Sequence, residues 1–111
     1  MSTINDLIDK LRTRPDVGIV EESEAWRIVI TKGRDYLCEI IVPRDVLEWF
    51  ACVKRRGQDK EEWSDWMDYR GYDDTPKEEL EADMADHIAA FVDRVSTREL
   101  RLPLRIYEEP A

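Results

Sequence analysis

Apolar residues recur at helical spacing near both ends of the chain. The longer repeat predicts a helix over residues 76–95, which opens with a capping box formed by Thr75 and Glu78. Its apolar stripe consists of Leu80, Met84, Ile88, Phe91, Val92 and Val95. The other repeat predicts a short amphipathic helix, capped by Ser2 or Thr3 and built on Ile4, Leu7, Ile8 and Leu11. Such stripes need a surface to pack on.

Between these helices the apolar period changes to that of a strand. Residues 26–31 alternate in character, and residues 36–42 return as a second strand after a polar turn, so a hairpin is predicted. Residues 16–24 are polar and unpatterned and are predicted to form a loop. Near the end, residues 100–106 alternate leucine or isoleucine with arginine or proline. They predict a strand, which Pro103 places at a sheet edge.

The stretch 46–69 fits two structures. Asp45 with Glu48 resembles a capping box, which favours a helix. An aromatic-rich run at 47–54 and an alternating run at 61–69, separated by turn residues, favour a second hairpin. Since a sheet of only two strands is marginally stable, we prefer the hairpin.

These elements predict one α+β domain over residues 1–111. It is expected to contain an antiparallel sheet of about four or five strands, with the helix 76–95 packed on one face and the N-terminal helix nearby. With 111 residues, of which 42% are hydrophobic, the chain has material for one modest core.

Negative charge is concentrated in residues 59–86. This segment contains 12 acidic and 3 basic residues, so it accounts for the whole net charge of −9. Nucleic acids and anionic membranes are therefore disfavoured as ligands, because both require clustered Lys and Arg. The first ten residues carry acids where a signal peptide would carry an uninterrupted apolar run, and no later segment approaches membrane-spanning length, so a cytoplasmic location is expected.

No residue cluster predicts catalysis or a metal site. His87 lies beside Asp83 and Asp86, but it also borders the apolar stripe, which favours a structural role. Asp65, Asp68, Asp73 and Asp74 lack the spacing of a calcium loop. Cys38 and Cys52 lie in apolar runs and are expected to be buried, reduced thiols. We therefore expect no catalytic residues, no metal and no cofactor.

Large aromatic residues alternate with acids in the middle of the acidic segment. Trp63, Trp66, Tyr69 and Tyr72 recur at intervals of three, and their charged neighbours must reach water. Some aromatic area should then lie at the surface, as in protein interfaces. We predict partner binding with Trp66 as an anchor, surrounded by Asp65, Asp68, Tyr69, Tyr72, Asp73, Asp74, Asp83 and Asp86.

Three segments resemble the small immunity proteins that bacteria encode beside polymorphic or contact-dependent toxins. They are the runs 47–53 and 63–72 and the end of the acidic helix, 88–92. The resemblance implies a cytoplasmic antidote that binds its cognate toxin domain and occludes the active site without performing chemistry. Because toxin nuclease domains are typically basic, an acidic surface would steer their association.

Two other functions fit the sequence. One is an acidic adaptor or nucleic-acid mimic outside toxin systems. The other is a small metal-dependent enzyme that uses the clustered aspartates and His87. A monomer or weak homodimer is expected, since the aromatic stretch and the strand predicted at 100–106 both offer self-association surfaces.

Overall fold

The computed structural model describes residues 3–32, 36–69 and 74–97. Two helices flank five strands in chain order: α1 (Ile4–Leu11), β1 (Val17–Glu21), β2 (Ala25–Lys32), β3 (Tyr36–Pro43), β4 (Glu48–Arg55), β5 (Glu61–Asp68) and α2 (Lys77–Thr97). Consecutive strands pair antiparallel in one sheet of order β1-β2-β3-β4-β5. The predicted α+β fold is therefore confirmed.

The loop predicted at 16–24 is wrong. Val17–Glu21 forms strand β1, which pairs with β2 from Val17 opposite Ile30 to Glu21 opposite Trp26. A ladder to a neighbouring strand satisfies the backbone of this segment, and neither Gly18 nor the glutamates around it prevent that pairing. The strand predicted at 100–106 lies outside the described residues.

The stretch 46–69 forms the preferred hairpin rather than a helix. β4 and β5 pair from Glu48 opposite Asp68 to Val53 opposite Trp63, and the register shifts beyond Val53 at a bulge. Gly57 in the connecting turn has φ of 79°, a left-handed backbone conformation that residues other than glycine rarely adopt. The glycine in the turn and the alternating residues of the two strands are therefore both features of a hairpin.

Helix α1 begins where its sequence predicts. Thr3 accepts a hydrogen bond from the amide of Asp6, and the Asp6 carboxylate accepts one from the amide of Thr3, which completes a capping box. The amide of Ile4 donates to Glu81 of α2 over 3.2 Å. The backbone amides of Thr3, Ile4 and Asp6 at this helix start thus all have hydrogen-bond acceptors within the fold.

One face of the sheet carries the core. The predicted stripe of α2 is buried throughout, and it meets inward residues of the strands such as Ile28, Ile30 and Ile40, all fully buried. Leu7, Ile8 and Leu11 of α1 join the same cluster. The helix 76–95 is observed as Lys77–Thr97. The two helices and the sheet share a single hydrophobic core.

Candidate functional site

The opposite face of the sheet, here called the open face, is covered by neither helix of the described chain. Register partners in an antiparallel sheet point to the same side, so a row of partners crosses one face. On the open face one row runs from β1 to β5, and we call it the open-face row: Val20, Arg27, Ile41, Phe50 and Trp66. It joins all five strands in one surface.

The open-face row contains most of the large apolar side chains that remain exposed in the described chain. Val20 is 48% exposed, Phe50 42% and Trp66 47%. The fourth such residue, Met67 at 37%, points to the other side of β5, because it is the register partner of the buried Trp49. Exposed apolar side chains that cluster in this way are a signature of interaction surfaces.

Two aromatic rings form the centre of this surface. Phe50 and Trp66 stack with ring centroids 6.0 Å apart and planes inclined by 16°. The indole Nε1 of Trp66 donates a hydrogen bond to Oε2 of Glu48 over 3.0 Å. These contacts hold both rings before any partner arrives, so binding them costs less side-chain entropy.

The basic residue of the open-face row is neutralised by its neighbours. Arg27 donates to Oε1 of Glu22 over 2.7 Å and to Oε2 of Glu39 over 2.6 Å. The hydrogen bond with Glu22 is the main cause that raises the pKa of Arg27. Glu39 also lies 4.0 Å from the ammonium of Lys54. These charges compensate one another, so they add little net field to the open face.

Strand β5 supplies negative charge beside the rings. It contains Glu61, Glu62, Asp65 and Asp68 and no basic residue. Asp68 shares the open face with Trp66, since the two residues alternate with Met67 and Asp68 is the register partner of Glu48. The Asp65 carboxylate accepts a hydrogen bond from the Trp66 amide over 2.8 Å. The structure thus brings the predicted site residues Trp66 and Asp68 together on the open face. Asp65, the register partner of the buried Ala51, alternates to the other side of β5.

The other predicted site residues lie elsewhere. Tyr69 is buried and therefore forms no surface. Asp83 and Asp86 are exposed on α2, which packs on the opposite side of the sheet from the open face. Asp74 is exposed in the turn before α2, and Tyr72 and Asp73 lie outside the described residues.

Tyr69 links the sheet to α2 through a chain of polar contacts. Its hydroxyl accepts a hydrogen bond from Nε1 of the buried Trp49 over 3.2 Å. The same hydroxyl lies 2.7 Å from Nδ1 of His87, and the two rings stack with centroids 5.8 Å apart. His87 thus contacts Tyr69 where α2 meets the end of β5, at the border of the apolar stripe.

Removing this hydroxyl should destabilise the fold. In Tyr69→Phe, the buried indole N–H of Trp49 loses its acceptor, which should lower the free energy of unfolding by about 1–3 kcal/mol. Urea denaturation measures the change. Tyr36→Phe is the control, because the hydroxyl of this half-buried tyrosine has no hydrogen bond within the described chain. Equal stability of the two variants would contradict the role given to Tyr69.

Neither cysteine offers a reactive thiolate. Cys38 and Cys52 are free and buried, as predicted. Burial is the main cause that raises the pKa of Cys38 to about 12, and burial also raises the pKa of Cys52. Both thiols are therefore protonated at neutral pH. In the ranges 3–32, 36–69 and 74–97, no three His, Cys, Asp or Glu side chains are grouped to hold a metal ion.

Comparison with known proteins adds no relative. No family model, curated protein or solved structure matches the chain. Neither of the helices in the described part is both long and apolar enough to cross a membrane. The candidate site therefore depends on the geometry of the open face.

Sequence reasoning missed Val20, Ile41 and Phe50. Val20 lay in the segment predicted as a loop. Phe50 was assigned to a strand, but the side of the sheet to which it points was not predicted. The signal for Phe50 was present in the hairpin interpretation, because alternation in β4 sends Trp49 and Ala51 to one side and Phe50 to the other. Its neighbour Trp66 was found because it stood among acids.

Proposed function

We propose that this chain is an immunity protein that binds a basic toxin domain through its open face and occludes the toxin's active site. The observation that carries the proposal is the open-face row, in which Val20, Phe50 and Trp66 are exposed together on a face that no described helix covers. An exposed apolar row of this kind gains free energy when a partner removes it from water.

Charge supports a basic partner. Asp68 of β5 lies beside the stacked rings of Phe50 and Trp66 on the open face, and Glu61 lines the same face farther along the strand. Arg27 is already paired with carboxylates. Rigid rings surrounded by charge are typical of energetically important interface residues, and the surrounding acids favour encounter with a basic surface. The negative field of the whole chain, with its net charge of −9, acts in the same direction.

The class of partner is supported by the resemblance of residues 47–53 and 63–72 to immunity proteins. In the structure these segments include most of β4 and β5, the strands that carry Phe50 and Trp66. An acidic adaptor would use the same surface, so the activity of the partner separates the two functions.

The proposal is tested by affinity capture from the source cell, followed by an activity assay. We expect the chain to capture a basic toxin domain and to abolish its activity at a ratio of one to one. A captured partner that keeps its full activity when saturated would contradict inhibition and favour the adaptor. A partner with an acidic contact surface would contradict the proposed recognition.

Electrostatic steering by β5 gives a kinetic prediction. The double variant Glu61→Lys, Asp68→Lys should associate with the partner roughly tenfold more slowly at low salt, and the difference should shrink at high salt because ions screen exposed charges. Stopped-flow measurements over a range of salt concentrations provide both values.

The control for steering carries the same change of charge elsewhere. Glu78→Lys, Asp86→Lys reverses two exposed acids on α2, away from the open face. It should slow association much less, because the field that guides docking depends on distance from the interface. Equal effects of the two double variants on the association rate would show that only the total charge of the chain matters. They would contradict steering by the acids of β5.

A further inference from the structure

A shallow trough lies beside the stacked rings on the open face. Its volume is about 480 Å³. The floor is formed by a register pair of small side chains, Cys52 and Ser64, next to the larger residues of the open-face row. Ile41, Phe50 and Trp66 form one wall. The depression therefore results from small residues placed beside large ones in adjacent rows of the same face.

The polar part of the trough is acidic. Glu39 and Glu61 both line it, and no lining residue in the described chain is basic. Glu39 is engaged with Arg27 and Lys54. Glu61 is exposed, and no described side chain forms a hydrogen bond or ion pair with its carboxylate. The trough thus combines an aromatic wall with a carboxylate that is available to an incoming cation.

We propose that this trough receives the side chain of an arginine from the basic partner. The identity of the partner rests on the proposed function, whereas the chemistry of the trough does not. The methylene groups of arginine would pack beside Ile41 and Phe50. Its planar guanidinium stacks on aromatic rings and pairs with a carboxylate through two parallel hydrogen bonds. Trp66 and Glu61 provide these two groups.

Short peptides test the trough without the natural partner. We would titrate the chain with the tripeptide acetyl-Gly-Arg-Gly-amide and follow the backbone amide signals of Cys52 and Ser64 by NMR. Saturable shifts confined to the trough are expected. The citrulline tripeptide, which has nearly the same shape without the charge, should bind at least about threefold more weakly. The lysine tripeptide should bind more weakly than the arginine tripeptide, because an ammonium cannot form two parallel hydrogen bonds with a carboxylate in one plane.

Two variants separate charge from shape. Glu61→Gln should lower the affinity for the arginine peptide roughly threefold. Glu78→Gln, an equal change of charge on α2, should leave that affinity unchanged. Ser64→Val fills the floor at an exposed strand position that accepts a branched residue, and it should also weaken binding. Circular dichroism of each variant verifies that the fold is retained.

The outcomes distinguish this inference from the proposed function. Equal binding of the arginine and citrulline peptides, or no effect of Glu61→Gln, would overturn the trough even if the chain captures a toxin through Trp66. Selective arginine binding without capture of any basic toxin would support the trough and refute the immunity function. If the chain showed neither selective arginine binding nor capture of a basic toxin, both the trough and the immunity function would be refuted.

Discussion

Phe91→Ala should destabilise the protein more than any other single substitution considered for this chain. Phe91 is almost fully buried between two indoles: its centroid lies 5.5 Å from that of Trp49, in an edge contact, and 5.8 Å from that of Trp63, in a stacked one. Removing the ring leaves a cavity where α2 meets β4 and β5. We expect the free energy of unfolding to fall by about 3–5 kcal/mol, a large part of the stability of a small domain.

Denaturant unfolding followed by tryptophan fluorescence measures this loss. Asp86→Ala is the control on the same helix, because Asp86 is exposed and its replacement should change stability by less than about 0.5 kcal/mol. If Phe91→Ala unfolded at nearly the same denaturant concentration as the wild type, the packing of α2 on this hairpin would be wrong. The assignment of the opposite face as the open one would fail with it.

Trp66→Ala should cause the largest loss of partner binding. Trp66 is 47% exposed and stacks on Phe50, so it has the size, rigidity and position of an interface anchor. We expect the dissociation constant to rise by about thirtyfold or more, equivalent to about 2 kcal/mol. Stability should change by less than about 1 kcal/mol, because the side chain lies outside the core. Surface plasmon resonance with the captured partner provides the affinity.

Its neighbour in the chain supplies a matched control. Met67 is also exposed, at 37%, but it points to the other side of β5. Met67→Ala should therefore leave the dissociation constant within about twofold of the wild-type value. Equal losses for the two variants would indicate that the partner contacts the edge of β5 from both sides, and the open face would not be its main contact.

Much of the fold follows from local patterns. The capping box at Thr3 and the stripe from Leu80 to Val95 determine their helices within a few residues, because the relevant contacts are close in sequence. Strand β1 was not predicted from local patterns. It forms by pairing with β2, and the residues of β1 itself, such as Gly18 and Glu21, do not indicate that pairing. The hairpin β4–β5 was chosen correctly through the physical need for a larger sheet.

The candidate site was only partly predictable for a related reason. Trp66 was found because large rings among acids are hard to bury completely. Tyr69 has the same surroundings in sequence, yet it is buried because its hydroxyl can pair with Trp49 and His87. The separation of Asp83 and Asp86 from Trp66 also required the fold, since it depends on which sheet face α2 covers.

The four tryptophan indoles allow the most direct test of the open face as the binding surface. An NMR spectrum of the indole N–H groups would be recorded with and without the captured partner. Trp66 Nε1, which bonds to the partly exposed Glu48, should shift or broaden strongly, whereas Trp49 Nε1, which is buried against Tyr69, should stay unchanged. An unchanged Trp66 signal in a saturated complex would contradict the account.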